Sequence, residues 1–262
     1  MGERVDVNGF RTYYEVHGKG DPLVLLHGGF GGADLWGAQI SDLENRFRVL
    51  VPEQRGHGHT PDGEGPITYQ LLADDLVAFL ERLVGAPVFL VGASDGGNVG
   101  LIVAMQRPDL LRKLVTIGAN FDRDGLVPAA AFLTDLPPDH EAWAGRRAVY
   151  DAVSPDGPDH FPVVFGKIQT MWRQGPMLRV DDLATISIPV LVIAGDDDVI
   201  RHEHTIALYE SLGQGQLAIV PGASHAVLRE KPELLDRLIV DFLNEEAPPD
   251  TMFPIRRSAS SK

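Results

Sequence analysis

One stretch constrains this chain more than any other. Val88-Phe89-Leu90-Val91-Gly92-Ala93-Ser94-Asp95-Gly96-Gly97-Asn98-Val99-Gly100-Leu101-Ile102 runs from an apolar, β-branched segment through a glycine-flanked serine into small residues of helical character. It predicts a strand, a sharp turn with Ser94 at its apex, and a helix. A serine held in a strained turn needs neighbours without side chains, and Gly92 and Gly96 meet that need. Its hydroxyl would stand clear of the sheet, beside backbone N–H groups at the positive end of the helix. That is where a nucleophile would sit. A bare G-x-S-x-G is common in loops, so the rest of the chain has to supply partners.

Read in order, the chain first alternates apolar and polar residues over 4–16 around Asn8-Gly9, a hairpin signal because both turn residues tolerate positive φ. Pro22–Leu26 is a continuous apolar run, as in a strand buried on both faces, and it ends in His27-Gly28-Gly29-Phe30-Gly31-Gly32. Helical spacing around Trp36 and Leu43 precedes a strand over Phe47–Val51 and the turn-rich Arg55-Gly56-His57-Gly58-His59-Thr60. Leu71, Leu72, Leu76, Phe79, Leu80 and Leu83 mark one face of a helix capped by Thr68. After the Ser94 segment, further strands are predicted over 114–118, 188–194 and 217–220, with helices near 202–212 and from Pro232 to Asn244.

These elements predict an α/β fold: a mostly parallel eight-stranded sheet flanked by helices. At 262 residues, one domain with an inserted subdomain is the expectation. Residues 1–121 and 189–246 form its core. Residues 122–188, rich in proline and carrying Trp143 and Trp172, break the regular pattern and are expected to form a helical cap. The segment 247–262, with Pro248-Pro249 and Ser258-Ala259-Ser260-Ser261, has the composition of a flexible tail.

Composition narrows the partners. The formal charge of −14 opposes nucleic acid and anionic lipid, so a small-molecule substrate is expected, with oligomeric state left open. The chain has no cysteine, which rules out disulfides, thiolate metal sites and a cysteine nucleophile. No signal-peptide profile opens it and no apolar run approaches about 18 residues, so a cytoplasmic protein is expected.

Serine needs a base within hydrogen-bond reach, and the base needs an acceptor that fixes its tautomer. Asp198 follows the strand at 188–194, and His225 follows the strand at 217–220. Taken singly, the histidine reads as a loop residue and Asp196-Asp197-Asp198 as a solvated turn. In the order Ser94, Asp198, His225, each beyond a buried strand, they read as a catalytic triad.

At this point the chain resembles the α/β-hydrolase superfamily over nearly its whole length. The resemblance is carried by His27-Gly28-Gly29, Arg55-Gly56-His57-Gly58, Gly92-Ala93-Ser94-Asp95-Gly96-Gly97, Gly195-Asp196-Asp197-Asp198, and Gly222-Ala223-Ser224-His225 with Glu230-Lys231-Pro232 behind it. The elbow followed by Gly118-Ala119-Asn120 resembles the biphenyl-hydrolase-like, or valacyclovirase, branch. The resemblance implies Asp198 as the acid, with Asp197 as fallback. It also implies an oxyanion hole from the backbone N–H groups of Asp95 and Gly29, with Phe30 as second choice. His27, Arg55 and His57 would then be structural, holding two loops together.

Several residues keep two readings. Phe30, Trp143, Phe165, Met171 and Trp172 either line a substrate pocket or fill the cap's own core. The Asp95 side chain either pairs with a substrate ammonium or stabilises the helix N-terminus, and the structural reading is slightly favoured. His202 and His204 would point about 200° apart on a helix, so no metal site is expected there. Arg256-Arg257-Ser258 resembles a kinase site but reads as ordinary tail. No cofactor is expected. The chemistry expected is hydrolysis of a small ester, lactone or amide through an acyl-serine. The alternatives are carbon–carbon bond hydrolysis, perhydrolase or haloperoxidase chemistry on the same triad, and a low-turnover ligand receptor.

Overall fold

The computed structural model describes residues 2–246 and 251–254. Most of the tail expected at 247–262, including Arg256-Arg257-Ser258, therefore lies outside the described residues.

The sheet forms as the apolar runs require. β1 (Glu3–Val7) and β2 (Phe10–His17) make the hairpin, with Asn8 at φ 48° and Gly9 at φ 84° in the turn. β3 (Asp21–Leu26), β4 (Phe47–Pro52), β5 (Val88–Ala93), β6 (Leu111–Ile117), β7 (Val190–Asp197) and β8 (Gly215–Ser224) follow. The eight strands lie in the order β1-β2-β4-β3-β5-β6-β7-β8. The pairs β1–β2 and β2–β4 are antiparallel, and every pair from β4 onward is parallel. β5, with all six residues buried, runs between β3 and β6.

Helices cover both faces. α1 (Gly37–Leu43), α2 (Tyr69–Leu83) and α3 (Asp95–Gln106) alternate with the strands; α4 (Pro128–Ala131), α5 (Ala144–Val153), α6 (Phe161–Gln174) and α7 (Val180–Leu183) lie between β6 and β7. α8 (His202–Ser211), α9 (Val227–Glu230) and α10 (Pro232–Asn244) complete the chain. The Thr68 hydroxyl caps α2 by accepting from the Leu71 N–H at 3.1 Å. Two apolar layers result. One packs β-face residues such as Leu90 and Leu114 against α2, α3 and α6; the other packs Val91 and Val115 against Trp36 and α10.

Two strands run further than the apolar runs indicate. β7 continues into Asp196 and Asp197, and β8 takes in Pro221–Ser224, which read as a loop. Backbone pairing is the cause: Asp197 still pairs with Ser224 across an irregularity that begins at Gly195. The residues that end these strands are thus held by the sheet.

The helical segment between β6 and β7 docks on the core through an aromatic cluster and one buried carboxylate. Phe30, from the loop after β3, stacks on Phe165 at 5.0 Å and meets Trp143, Phe161 and Trp172 between 5.3 and 6.0 Å. Asp62 accepts from Lys167 at 2.6 Å and approaches His160 at 2.9 Å.

The turn after β5 depends on contacts that leave no room for a side chain. A Cβ on Gly96 would collide with the Leu26 carbonyl, and one on Gly92 with the Gly96 carbonyl. Gly96→Ala should therefore destabilise the protein by about 1–3 kcal/mol, the usual cost of overpacking. A urea unfolding midpoint unchanged from wild type would contradict this packing.

Candidate active site

Ser94 occupies the apex with φ 52° and ψ −120°, one of three non-glycine residues at positive φ among the described residues. Its N–H donates to the Ile117 carbonyl at 2.7 Å, which pins the turn to the end of β6. Such a conformation costs on the order of 1–3 kcal/mol and persists only where its surroundings dictate it. The Asp95 N–H opens α3 and so has no acceptor within its own helix. The loop after β3 presses on the apex, since a Cβ on Gly28 would lie 2.8 Å from the Ser94 Cβ.

The structure brings the three expected side chains together. His225 Nε2 is 3.1 Å from Ser94 Oγ, and His225 Nδ1 is 2.8 Å from Asp198 Oδ1. Asp198 is buried at 8% exposure and accepts from the Ile200 N–H at 3.1 Å and the Gly195 N–H at 3.4 Å. Asp197, the fallback acid, is exposed and takes no part, while Asp196 accepts from the Ala223 N–H at 3.1 Å. Gly118, at φ 60°, lies against His225; a Cβ there would fall 2.8 Å from the imidazole ring.

The charges of the pair support each other. Burial favours neutral Asp198, yet the hydrogen bond and charge of His225, with the Ile200 and Gly195 N–H groups, hold its pKa below the usual carboxylate value. Burial likewise disfavours protonated His225, but the Asp198 hydrogen bond and charge, aided by Asp95, raise its pKa above the ordinary 6.5.

Asp95 meets a different fate. Its side chain is buried, with Oδ1 accepting from the Tyr69 hydroxyl at 2.6 Å and Oδ2 from the Trp172 indole N–H at 2.8 Å. Burial raises its pKa against the opposing pull of Tyr69, Trp172, His225 and the nearby Gly29 N–H. The carboxylate thus ties α2, the apex and α6 together at the floor of the cavity.

The remaining histidines are bound elsewhere. His27 is fully buried; its Nε2 accepts from the Gln54 N–H at 3.0 Å, and its Nδ1 donates to the Gly28 carbonyl at 2.8 Å. Burial lowers the pKa of His27 to about 3 and that of His57 to about 4, so both rings are neutral. Arg55 is held by Asp75 through bonds of 2.6 and 2.7 Å. His204 stacks on Phe121 and accepts from its N–H at 3.1 Å, whereas His202 meets the Gly195 carbonyl at 3.2 Å. Among the described residues, no group of three His, Cys, Asp or Glu side chains could hold a metal ion.

Above Ser94 lies a cavity of about 380 Å³ whose walls include Phe30, Asp95, Trp143 and Trp172. Phe165 and Met171, the other two candidates for substrate contact, do not reach it. They are 1% and 2% exposed and fill the interior of the helical segment. The sequence reading missed Tyr69, Asn120, Arg146 and Arg229, which also line the cavity. Arg229 carried one usable signal, four residues beyond His225 on the element that follows it.

Among the described residues, no helix is long and apolar enough to cross a membrane. A serine, a histidine and an aspartate joined in this order at the C-terminal ends of parallel strands define a hydrolase of the α/β type. The description of the alpha/beta hydrolase family matches residues 23–238, and the chain belongs to that family and is an enzyme of it. It is similar to the RutD protein of Agrobacterium fabrum, named for carbamate hydrolysis, with 31% identity over 88% of this chain and 97% of the relative. It is also similar to the serine hydrolase BPHL of Homo sapiens, with 28% identity over 92% and 85%. A meta-cleavage product hydrolase from Pseudomonas fluorescens superposes with a TM-score of 0.82, covering 94% of this chain and 99% of that one; at 22% identity it speaks for the fold alone.

The electrostatics of the pair can be measured directly. The His225 ring should titrate above 6.5 by nuclear magnetic resonance, and Asp198→Asn should bring the midpoint down. An unchanged midpoint in that variant would remove Asp198 as the cause.

Proposed function

We propose that the protein is a serine hydrolase that cleaves a small ester, lactone or amide through an acyl-serine intermediate. The observation that carries this reading is the continuous path from Asp198 through His225 to Ser94, 2.8 Å and then 3.1 Å long. Ser94 Oγ attacks the substrate carbonyl while His225 Nε2 takes its proton. The same proton then passes to the leaving alcohol or amine as the carbonyl–heteroatom bond breaks. Water, deprotonated by His225, releases the acid from Ser94. Asp198 keeps the imidazole in the tautomer that accepts at Nε2. The N–H of Asp95 and that of Gly29, which leaves the Asp95 carboxylate for the substrate, hold the oxyanion; one such donor typically supplies about 3–4 kcal/mol. The likeness to a relative named for carbamate hydrolysis extends the acyl groups worth testing to carbamates.

Because the Asp95 carboxylate is already engaged by Tyr69, Trp172 and the neighbouring Gly29 N–H, its proposed role is to position the apex and α6. An amino-acid ester and its des-amino analogue should then be hydrolysed with equal kcat/KM. A preference for the amine that disappears in Asp95→Ala would restore ammonium recognition.

Ser94→Ala should lower kcat on short esters by on the order of 10⁵-fold or more. A fluorophosphonate should add covalently to Ser94 in the wild type, as read by mass spectrometry. Full activity in the variant would sink the mechanism. Activity in the wild type should be lost as pH falls through a value above 6.5, where His225 becomes protonated and can no longer act as base.

A further inference from the structure

The chain carries 37 carboxylate side chains against 23 lysines and arginines, so carboxylate partners for guanidinium groups are at hand. Arg55 pairs with Asp75, Arg107 with Glu81 and Asp109, Arg112 with Asp21, and Arg147 with Asp151. Other arginines on the outer surface, Arg11, Arg46, Arg82 and Arg237 among them, lack such a partner, and so do Arg146 and Arg229. Both line the cavity above Ser94, and among the described residues neither makes an ion pair or a side-chain hydrogen bond.

The two differ in exposure, Arg146 being half-buried and Arg229 exposed at the cavity rim. Arg146 projects from α5, and Arg229 from α9, four residues beyond His225. Arg146 is near enough to His27 and His57 for its charge to help keep both rings neutral. The two guanidinium groups also repel each other: burial and then the charge of Arg229 make Arg146 harder to protonate, while Asp34 offsets this only in part. The sole carboxylate among the residues that line the cavity is Asp95, already held by Tyr69 and Trp172. Two like charges at one cavity, one of them half-buried, repel each other until an anion sits between them. Guanidinium groups suit a planar carboxylate, which they bind through paired N–H donors.

We propose that Arg146 and Arg229 form a carboxylate-binding site in the catalytic cavity. The substrate is then a small acyl compound that bears a free carboxylate away from the scissile bond. This inference rests on the hydrolase reading for its account of turnover, although binding can be measured without it. The arginines anchor the anionic end, leaving the carbonyl at Ser94. One anchor comes from the helical segment and the other from the element that follows the base, so a bound anion would join the two.

The test compares monoethyl succinate with ethyl butanoate, which differ at the carboxylate, in the wild type and in Arg146→Gln and Arg229→Gln. The wild type should favour monoethyl succinate in kcat/KM by about tenfold or more, and each variant should lower that ratio by about tenfold, chiefly through KM. Arg146→Lys and Arg229→Lys, which keep the charge without the fork, should fall between, and they carry the test where a glutamine variant unfolds. Calorimetric titration with succinate should show binding weakened by about tenfold in the glutamine variants. A ratio that stays at its wild-type value in every variant overturns the inference while leaving the hydrolase reading intact. Inorganic phosphate bound more tightly than succinate overturns the assignment to carboxylates. If both esters are inert but succinate binding requires both arginines, the carboxylate site stands and the hydrolase reading fails.

Discussion

The parallel alignment of β3, β5 and β6 at their C-terminal ends is the constraint on which the remainder depends. Gly92 is in register with Leu26 on one side and Thr116 on the other, so the chain must leave β5 within a narrow gap. The Ile117 carbonyl holds the Ser94 N–H there, and the Leu26 carbonyl presses on Gly96 from the opposite strand. Strain at one residue is thus balanced by close packing across three strands. The direction of the hydroxyl, the first turn of α3 and the place left for His225 beside Gly118 all follow from this arrangement.

Two carboxylates face this turn, and their surroundings push them in opposite directions. Asp198 receives an imidazole and two backbone N–H groups, which stabilise its charge despite burial. Asp95 receives a phenol and an indole, neutral donors whose support does not offset burial. The charge of Asp198 lies behind His225, where it favours the protonated imidazole. Buried His27 and His57 contribute no charge, which leaves His225 as the titrating histidine at the cavity wall.

The sheet was legible because its parallel strands are built on apolar runs that end in glycine or a polar turn, a pattern that holds even at the half-exposed edge strand β8 and depends on local chemistry alone. Ser94, Asp198 and His225 were legible for the same reason: each lies just beyond such a strand. The segment between β6 and β7 was not. On α6, Phe165 and Trp172 are seven residues apart and so share a helix face, yet Phe165 is enclosed while Trp172 reaches the cavity. Periodicity identifies the face but not how far along it the cavity begins. Arg146 and Arg229 were invisible for a related reason. A guanidinium is ordinarily read as a solvated surface group, and its lack of a partner becomes evident only when every nearby carboxylate has been placed.

The opposition between an acidic molecule and arginines at its cavity is one of range. A net charge of −14 keeps the surface solvated, but in physiological salt its field fades over about 8 Å. At the half-buried Arg146, a nearby anion is screened far less. Discrimination can therefore be local and contrary in sign to the whole molecule. Ser94, His225 and Asp198 belong to strand ends that the sheet holds, whereas Trp143, Arg146 and Trp172 come from the helical segment above. A change in that segment alone would alter the shape and charge of the cavity and leave the geometry of Ser94, His225 and Asp198 in place.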